Sequence, residues 1–189
     1  MKKMMILTGL SLLLGCYGPG VESGRQSGYG DGLPASSVRT VTTAVMAGSL
    51  SEDERQGLLA YHNRVRAEVG TSPLRWSADA SAQAERWARV LAKGCDIVHS
   101  QGSGFGENLF MGTLGYYDVL DGARSWQEEK RDYSGQPLTR STAQVAGHYT
   151  QMVWHDTREL GCARSICRDN MILVCNYYPP GNYLGERAY

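Results

Sequence analysis

The sequence predicts an α+β layered domain, on three observations. Four stretches before residue 155 carry apolar residues at helical spacing, two apolar runs joined by a polar turn follow them, and four cysteines stand behind an export-type leader. Helices that give way to a terminal hairpin suit a sheet covered by helices rather than an alternating α/β fold. The chain of 189 residues holds one ordinary domain with extra segments at its start. Its 19 basic and 19 acidic side chains cancel, and no Lys/Arg cluster interleaves with aromatics, so nucleic acid is not an expected partner.

Lys2 and Lys3 precede an apolar stretch from Met4 to Leu14. That stretch is too short to cross about 30 Å of hydrocarbon, and it reads as an export signal over residues 1–15. Leu13-Leu14-Gly15-Cys16 resembles the lipobox of bacterial lipoproteins, which implies acylation of Cys16 after cleavage and a membrane partner held through it. Tyr17, in place of an aspartate, leans toward an outer-membrane or surface location in the cell envelope. Residues 16–50 are rich in Gly, Ser and Thr and are expected to be a flexible tether.

The folded domain is expected over 51–189. Ser51 and Glu54 form a capping box, after which Leu58, His62, Val65 and Val69 recur at helical spacing up to Gly70. A second helix is predicted from Ser77 to Lys93 with Ala80, Ala84, Trp87 and Leu91 on its apolar stripe and Gly94 closing it. A loop follows at 102–106 and a short strand at 108–111. Asp118 caps a third helix bearing Val119, Ala123 and Trp126, and 131–142 reads as a loop. The fourth helix, 143–154, presents Val145, Tyr149, Met152 and Val153. Strands at 160–165 and 171–177 flank a turn at Arg168-Asp169-Asn170.

Export places Cys95, Cys162, Cys167 and Cys175 in an oxidising compartment, so two disulfides are expected, in any of three connectivities. Without a CxxC pair, the spacing suits neither a zinc ribbon nor a redox site. His99, Glu107, Glu129 and His148 are the groups able to bind zinc or to act as general acid and base, although spacing alone does not bring them together. His62 lies on an apolar stripe and reads as a hydrogen-bonded core histidine. Tyr177, Tyr178 and Tyr183 read as packing residues. Ser100 beside His99 is no triad signal, and Gly102-Ser103-Gly104-Phe105-Gly106 lacks the lysine of a phosphate loop.

Longer motifs carry a resemblance. Gly147-His148-Tyr149-Thr150-Gln151-Met152-Val153-Trp154 leads into Leu160-Gly161-Cys162-Ala163, and Val174-Cys175-Asn176-Tyr177-Tyr178-Pro179-Pro180-Gly181-Asn182-Tyr183 follows. Upstream lie His62-Asn63 with Arg66, then Cys95 with His99-Ser100, Gly106-Glu107-Asn108-Leu109, and Trp126 with Glu129 and Tyr133. In this order they resemble the CAP superfamily of cysteine-rich secretory proteins, antigen 5 and pathogenesis-related-one proteins, the plant members most of all. The resemblance implies a three-layer α-β-α sandwich. It also implies an open cleft ringed by His99, Glu107, Glu129 and His148, with the two histidines as ligands of Zn2+ or another divalent cation. Two carboxylates in one cleft call for a cation, a proton or the histidines to offset their charge.

The disulfides implied are Cys95 with Cys167 and Cys162 with Cys175, closing loops whose entropy is worth roughly 4 and 3 kcal/mol. A third cysteine pair found in plant members is missing, Ala146 standing before Gly147, so the 131–142 loop is expected to be less tied down. The favoured function is a non-enzymatic, membrane-anchored binding module with a lipid, sterol or peptide ligand. The alternatives are a metal-dependent peptidase that uses Glu107 or Glu129 as base, although no HExxH motif is present, and an envelope structural protein.

Overall fold

The computed structural model describes residues 48–189. The export signal, Cys16 and the tether as far as residue 47 lie outside the described residues. Nine short elements follow in order: α1 (Glu52–Ala67), β1 (Arg75–Trp76), α2 (Ala78–Gly94), β2 (Gly106–Thr113), α3 (Val119–Glu128), a 3₁₀ turn (Glu129–Asp132), α4 (Arg140–Met152), β3 (Glu159–Cys167) and β4 (Asn170–Tyr178). Among the described residues, no helix is long and apolar enough to cross a membrane.

Local chemistry sets the helix starts. Ser51 and Glu54 cap α1 reciprocally, Ser77 accepts from the Ala80 amide at the head of α2, and Asp118 with Asp121 forms a second capping box on α3. Leu50, just ahead of the first cap, is already buried in the core. The end of α2 differs from expectation. The helix runs through Gly94, and the left-handed residue is Cys95, whose amide donates to the Leu91 carbonyl while its sulfur joins Cys167.

The sheet has the order β1-β3-β4-β2. β3 and β4 form the expected hairpin, with Cys167 opposite Asn170, and β4 pairs antiparallel with β2 from Gly106–Tyr177 to Thr113–Asn170. β2 is longer than the strand predicted. The two-residue β1, parallel to β3, has no signature in the sequence because it is too short to show alternation. Side-chain alternation splits the core. On one face, Ala163, Ile172 and Val174 meet the alanine stripe of α2. On the other, Leu160, Leu173, Cys175 and Tyr177 meet α1, α3 and α4. The result is the α-β-α sandwich.

Alanines and one glycine set how closely α2 lies on the sheet. A Cβ at Gly161 would press on the Ser81 amide nitrogen and lie 2.6 Å from the Ala80 carbonyl carbon. Backbone atoms cannot swing aside as a side chain does. Gly161→Ala is therefore expected to cost about 2 kcal/mol in urea denaturation. An unchanged midpoint would show that α2 can shift freely.

Both implied disulfides are present, Cys95–Cys167 and Cys162–Cys175, with Cα separations of 5.6 and 4.1 Å. The 131–142 loop, expected to be less tied down, is held by contacts to the C-terminal segment. The Tyr133 hydroxyl accepts from the Ala188 amide at 2.9 Å. Leu138 exchanges backbone bonds with the C-terminal segment, its amide donating to Glu186 and its carbonyl accepting from Gly185, both at 2.8 Å. Arg187 also donates to the Gly135 carbonyl, and Tyr189 packs edge-on against Tyr133.

α4 differs from expectation as well. It begins at Arg140, three residues early, and its helical geometry breaks at Ala146, where φ is −135°. Tyr149, Met152 and Val153 face the core as expected. Val145 is 53 % exposed, because the break at the next residue takes it off the stripe.

Candidate functional site

That break in α4 builds half of the site. Beyond Ala146, the amides of His148 and Tyr149 donate to Glu129 Oε2 at 2.9 and 3.1 Å, as the first turn of a helix donates to its cap. The other oxygen of Glu129 meets His148 Nδ1 at 2.6 Å. Glu129 thus holds both the backbone and the ring of His148 from the 3₁₀ turn after α3. The indole of Trp126 stacks on the same imidazole, with centroids 6.2 Å apart and planes 17° from parallel.

The second half repeats the pattern at the start of β2. Glu107 Oε1 meets His99 Nδ1 at 2.8 Å and accepts from the Ser100 amide at 2.9 Å, while Oε2 accepts from the Ser100 hydroxyl at 2.8 Å. Ser100, part of the His99-Ser100 motif and no triad member, is the second partner of this carboxylate. Each glutamate therefore has its own histidine and backbone donors. The repulsion expected between two carboxylates is met by separate pairing.

His99, Glu107 and His148 line one cleft of ≈ 450 Å³, together with Phe105, Gly106, Asn108, Gln151 and Asn182. Glu129 stands behind His148 and is not part of the lining. Among the described residues, no group of three or more His, Cys, Asp or Glu side chains is placed to hold a metal ion. Gln151 was invisible as a site residue in the sequence. Its Oε1 accepts from the Gly181 amide at 3.0 Å, and a Cβ on Gly106 would overlap that amide group, 2.7 Å from its Cδ. Glycine is needed at 106 for β2 to approach α4 this closely.

A buried polar chain supports His148 from below. Asn108 Nδ2 donates to the His148 carbonyl at 3.0 Å and to the Tyr177 hydroxyl at 3.1 Å. Tyr177 in turn lies 2.9 Å from His62 Nε2, and His62 Nδ1 lies 2.7 Å from the Leu58 carbonyl. The consistent assignment has Asn108 donating to Tyr177, Tyr177 to His62, and His62 to Leu58. Burial lowers the His62 pKa to about 4, and Arg66 acts in the same sense against the pull of the Leu58 carbonyl. His62 is the core histidine expected. Burial also pushes the Tyr177 phenol far up from its ordinary value. Tyr177 and Tyr183 pack as expected. Tyr178 does not, being half exposed beside Phe105.

An α-β-α sandwich held by two cystines, with a histidine-lined cleft at one end of its sheet, defines a class of domain whose site is assembled from three separate segments. The chain belongs to the cysteine-rich secretory protein family (CAP), whose model matches residues 59–177. It is 41 % identical over 155 residues to pathogenesis-related protein PRMS of Zea mays, covering 80 % of this chain and 92 % of that one. It is 41 % identical over 140 residues to pathogenesis-related protein 1A of Nicotiana tabacum, covering 74 % and 83 %. Among solved structures it is similar to NaASP2 with Zn2+, at a TM-score of 0.67 and 28 % identity over 75 % of this chain and 87 % of that one. The secretory family and the two disulfides fit an exported protein.

Proposed function

We propose that this chain is an envelope-anchored, non-enzymatic binding module. Acylated Cys16 holds it to the membrane, and the cleft takes a lipid, sterol or peptide ligand beside a divalent cation such as zinc. One observation carries the reading: both cleft imidazoles have Nδ1 committed to a carboxylate, which leaves Nε2 as the ligating nitrogen of each. A carboxylate behind an imidazole fixes its tautomer and strengthens it as a ligand. His99 and His148 fit a cation held by two protein nitrogens, the remaining positions going to water or ligand. The NaASP2 structure with Zn2+ adds support from a relative. A bound cation would supply positive charge for a carboxylate or phosphate on the ligand, and the chain's own residues orient the imidazoles.

The peptidase reading needs Glu107 or Glu129 as a base. The oxygens of both are already taken up by imidazole, amide and hydroxyl donors. That geometry favours orienting roles for the two glutamates.

Titration calorimetry of the chelator-stripped mature protein with zinc tests the cation. Binding is expected for the wild type and lost in His99→Ala and in His148→Ala. Glu129→Gln is expected to weaken it about 10- to 100-fold, with His148 kept but less well oriented. Unaltered affinity in Glu129→Gln would remove the orienting role. Lipid extracted from the purified protein and identified by mass spectrometry would support a lipid ligand. Zinc-dependent cleavage of peptides or esters that disappears in His148→Ala would overturn the non-enzymatic reading.

A further inference from the structure

At the end of β2 remote from the cleft, apolar side chains stand in solvent. Met111, Leu114, Tyr116 and Tyr117 are 41, 48, 78 and 41 % exposed. Their backbone is nonetheless fixed. The Leu114 amide donates to the Asp169 carbonyl at 2.8 Å, and the amides of Tyr116 and Tyr117 donate to Thr113 at 3.1 and 3.0 Å. Tyr117 lies edge-on to Phe110 with centroids 5.8 Å apart, and Tyr116 meets Tyr117 at 4.8 Å. Gly112 leaves the room for this, since a Cβ there would lie 2.8 Å from the Tyr117 ring and 2.9 Å from the Phe110 ring. The tip is thus a preformed aromatic wedge.

The described chain begins at Gly48, which the sheet register sets level with Phe110, midway along β2. Gly48 makes an antiparallel bridge to Arg164, its amide donating to that carbonyl at 3.1 Å. Gly48 is 32 positions after Cys16. Whatever its conformation, a link of that length reaches at most about 110 Å. An acylated Cys16 therefore keeps the whole domain within that distance of lipid.

We propose that Met111, Leu114, Tyr116 and Tyr117 form a second membrane contact, seated in the interfacial layer of the bilayer. The proposal rests on the lipoprotein reading of Cys16. Tyrosine suits that layer because its ring is apolar and its hydroxyl stays wet. The neighbouring charges do not make a cationic patch: Asp118, Asp121 and Asp169 stand beside Arg124 and Arg168, and Arg124 is paired with Asp121 at 2.5 Å. Attraction therefore comes from apolar partitioning and is insensitive to salt. A modest affinity suffices, because the anchor already holds the local concentration high. Seven residues separate Gly106 from Thr113 along β2, about 23 Å of strand. With the tip on the membrane, the cleft at the other end faces outward.

The test uses the mature chain from residue 16 carrying Cys16→Ser, so that no acyl chain contributes, sedimented with phosphatidylcholine vesicles at low and high salt. Measurable partitioning is expected, equal at both salt concentrations. Leu114→Ser combined with Tyr116→Ser is expected to lower it by at least about tenfold, with the thermal midpoint unchanged. No partitioning, or the same partitioning in the double variant, would overturn the proposal. So would a dimer in sedimentation velocity that the double variant abolishes, which would assign the tip to a second copy of the chain. The mass of the native protein reports acylation of Cys16 separately, so failure of the anchor and failure of the tip are distinguishable.

Discussion

Arg66→Ala is expected to lower the stability of this domain by about 4 kcal/mol or to prevent folding altogether. The guanidinium is fully buried, and among the described residues no carboxylate pairs with it. It donates to four backbone carbonyls, those of Ser72, Met152, Trp154 and Thr157, at 2.7 to 3.0 Å. Two of the four are the Met152 and Trp154 carbonyls where α4 ends, so a residue of α1 satisfies the helix that carries His148. Truncation would leave four buried acceptors without donors. Burial lowers the Arg66 pKa to about 10, which leaves the group cationic at neutral pH. Arg66→Lys is expected to recover only part of the loss, because a point ammonium cannot reproduce a planar fork. Urea denaturation of the three proteins measures this. A wild-type midpoint in Arg66→Ala would mean the carbonyls find other donors.

The second large effect is acid sensitivity centred on His62. Its unfolded pKa is near 6.5 and its folded pKa is about 4. Between those values the unfolded chain binds the extra proton. Stability from this residue is thus complete above pH 6.5 and is lost as pH falls through 4, by about 3 kcal/mol. Protonated His62 would present an N–H to the Tyr177 hydroxyl, which already accepts from Asn108. Because Asn108 also holds the His148 carbonyl, acid should loosen the cleft as well as the core. Stability measured from pH 7 to pH 4 should fall more steeply in wild type than in His62→Gln. Parallel curves would locate the acid sensitivity in the carboxylates instead.

What the sequence disclosed follows from how local each signal is. The caps at Ser51 and Asp118 are contained within a few residues, so they were readable, as were the hairpin and its turn. The break at Ala146 was not, because it depends on Glu129, which takes the amides of His148 and Tyr149 from another element. The apolar pattern therefore placed Val145 in the core, and it lies outside. The four cleft residues came from motif order. No periodicity links His99 to Glu107 or Glu129 to His148, since each pair is closed by tertiary packing. Motif order did not show that Glu129 stands behind its histidine rather than in the cleft wall. The hold on the 131–142 loop was equally hidden: counting cysteines registers a missing cystine but not the backbone and tyrosine bonds that secure the loop.

The two sides of the cleft are unlike in what secures them. The His99 side follows Cys95 by four residues and is fastened covalently to β3 through Cys167. The His148 side hangs on α4 and on a loop fastened only by hydrogen bonds and aromatic packing to residues near the carboxyl end. Thiol reductants act on the first side and leave the second untouched. Chemical reduction therefore acts unevenly across the mouth of the cleft.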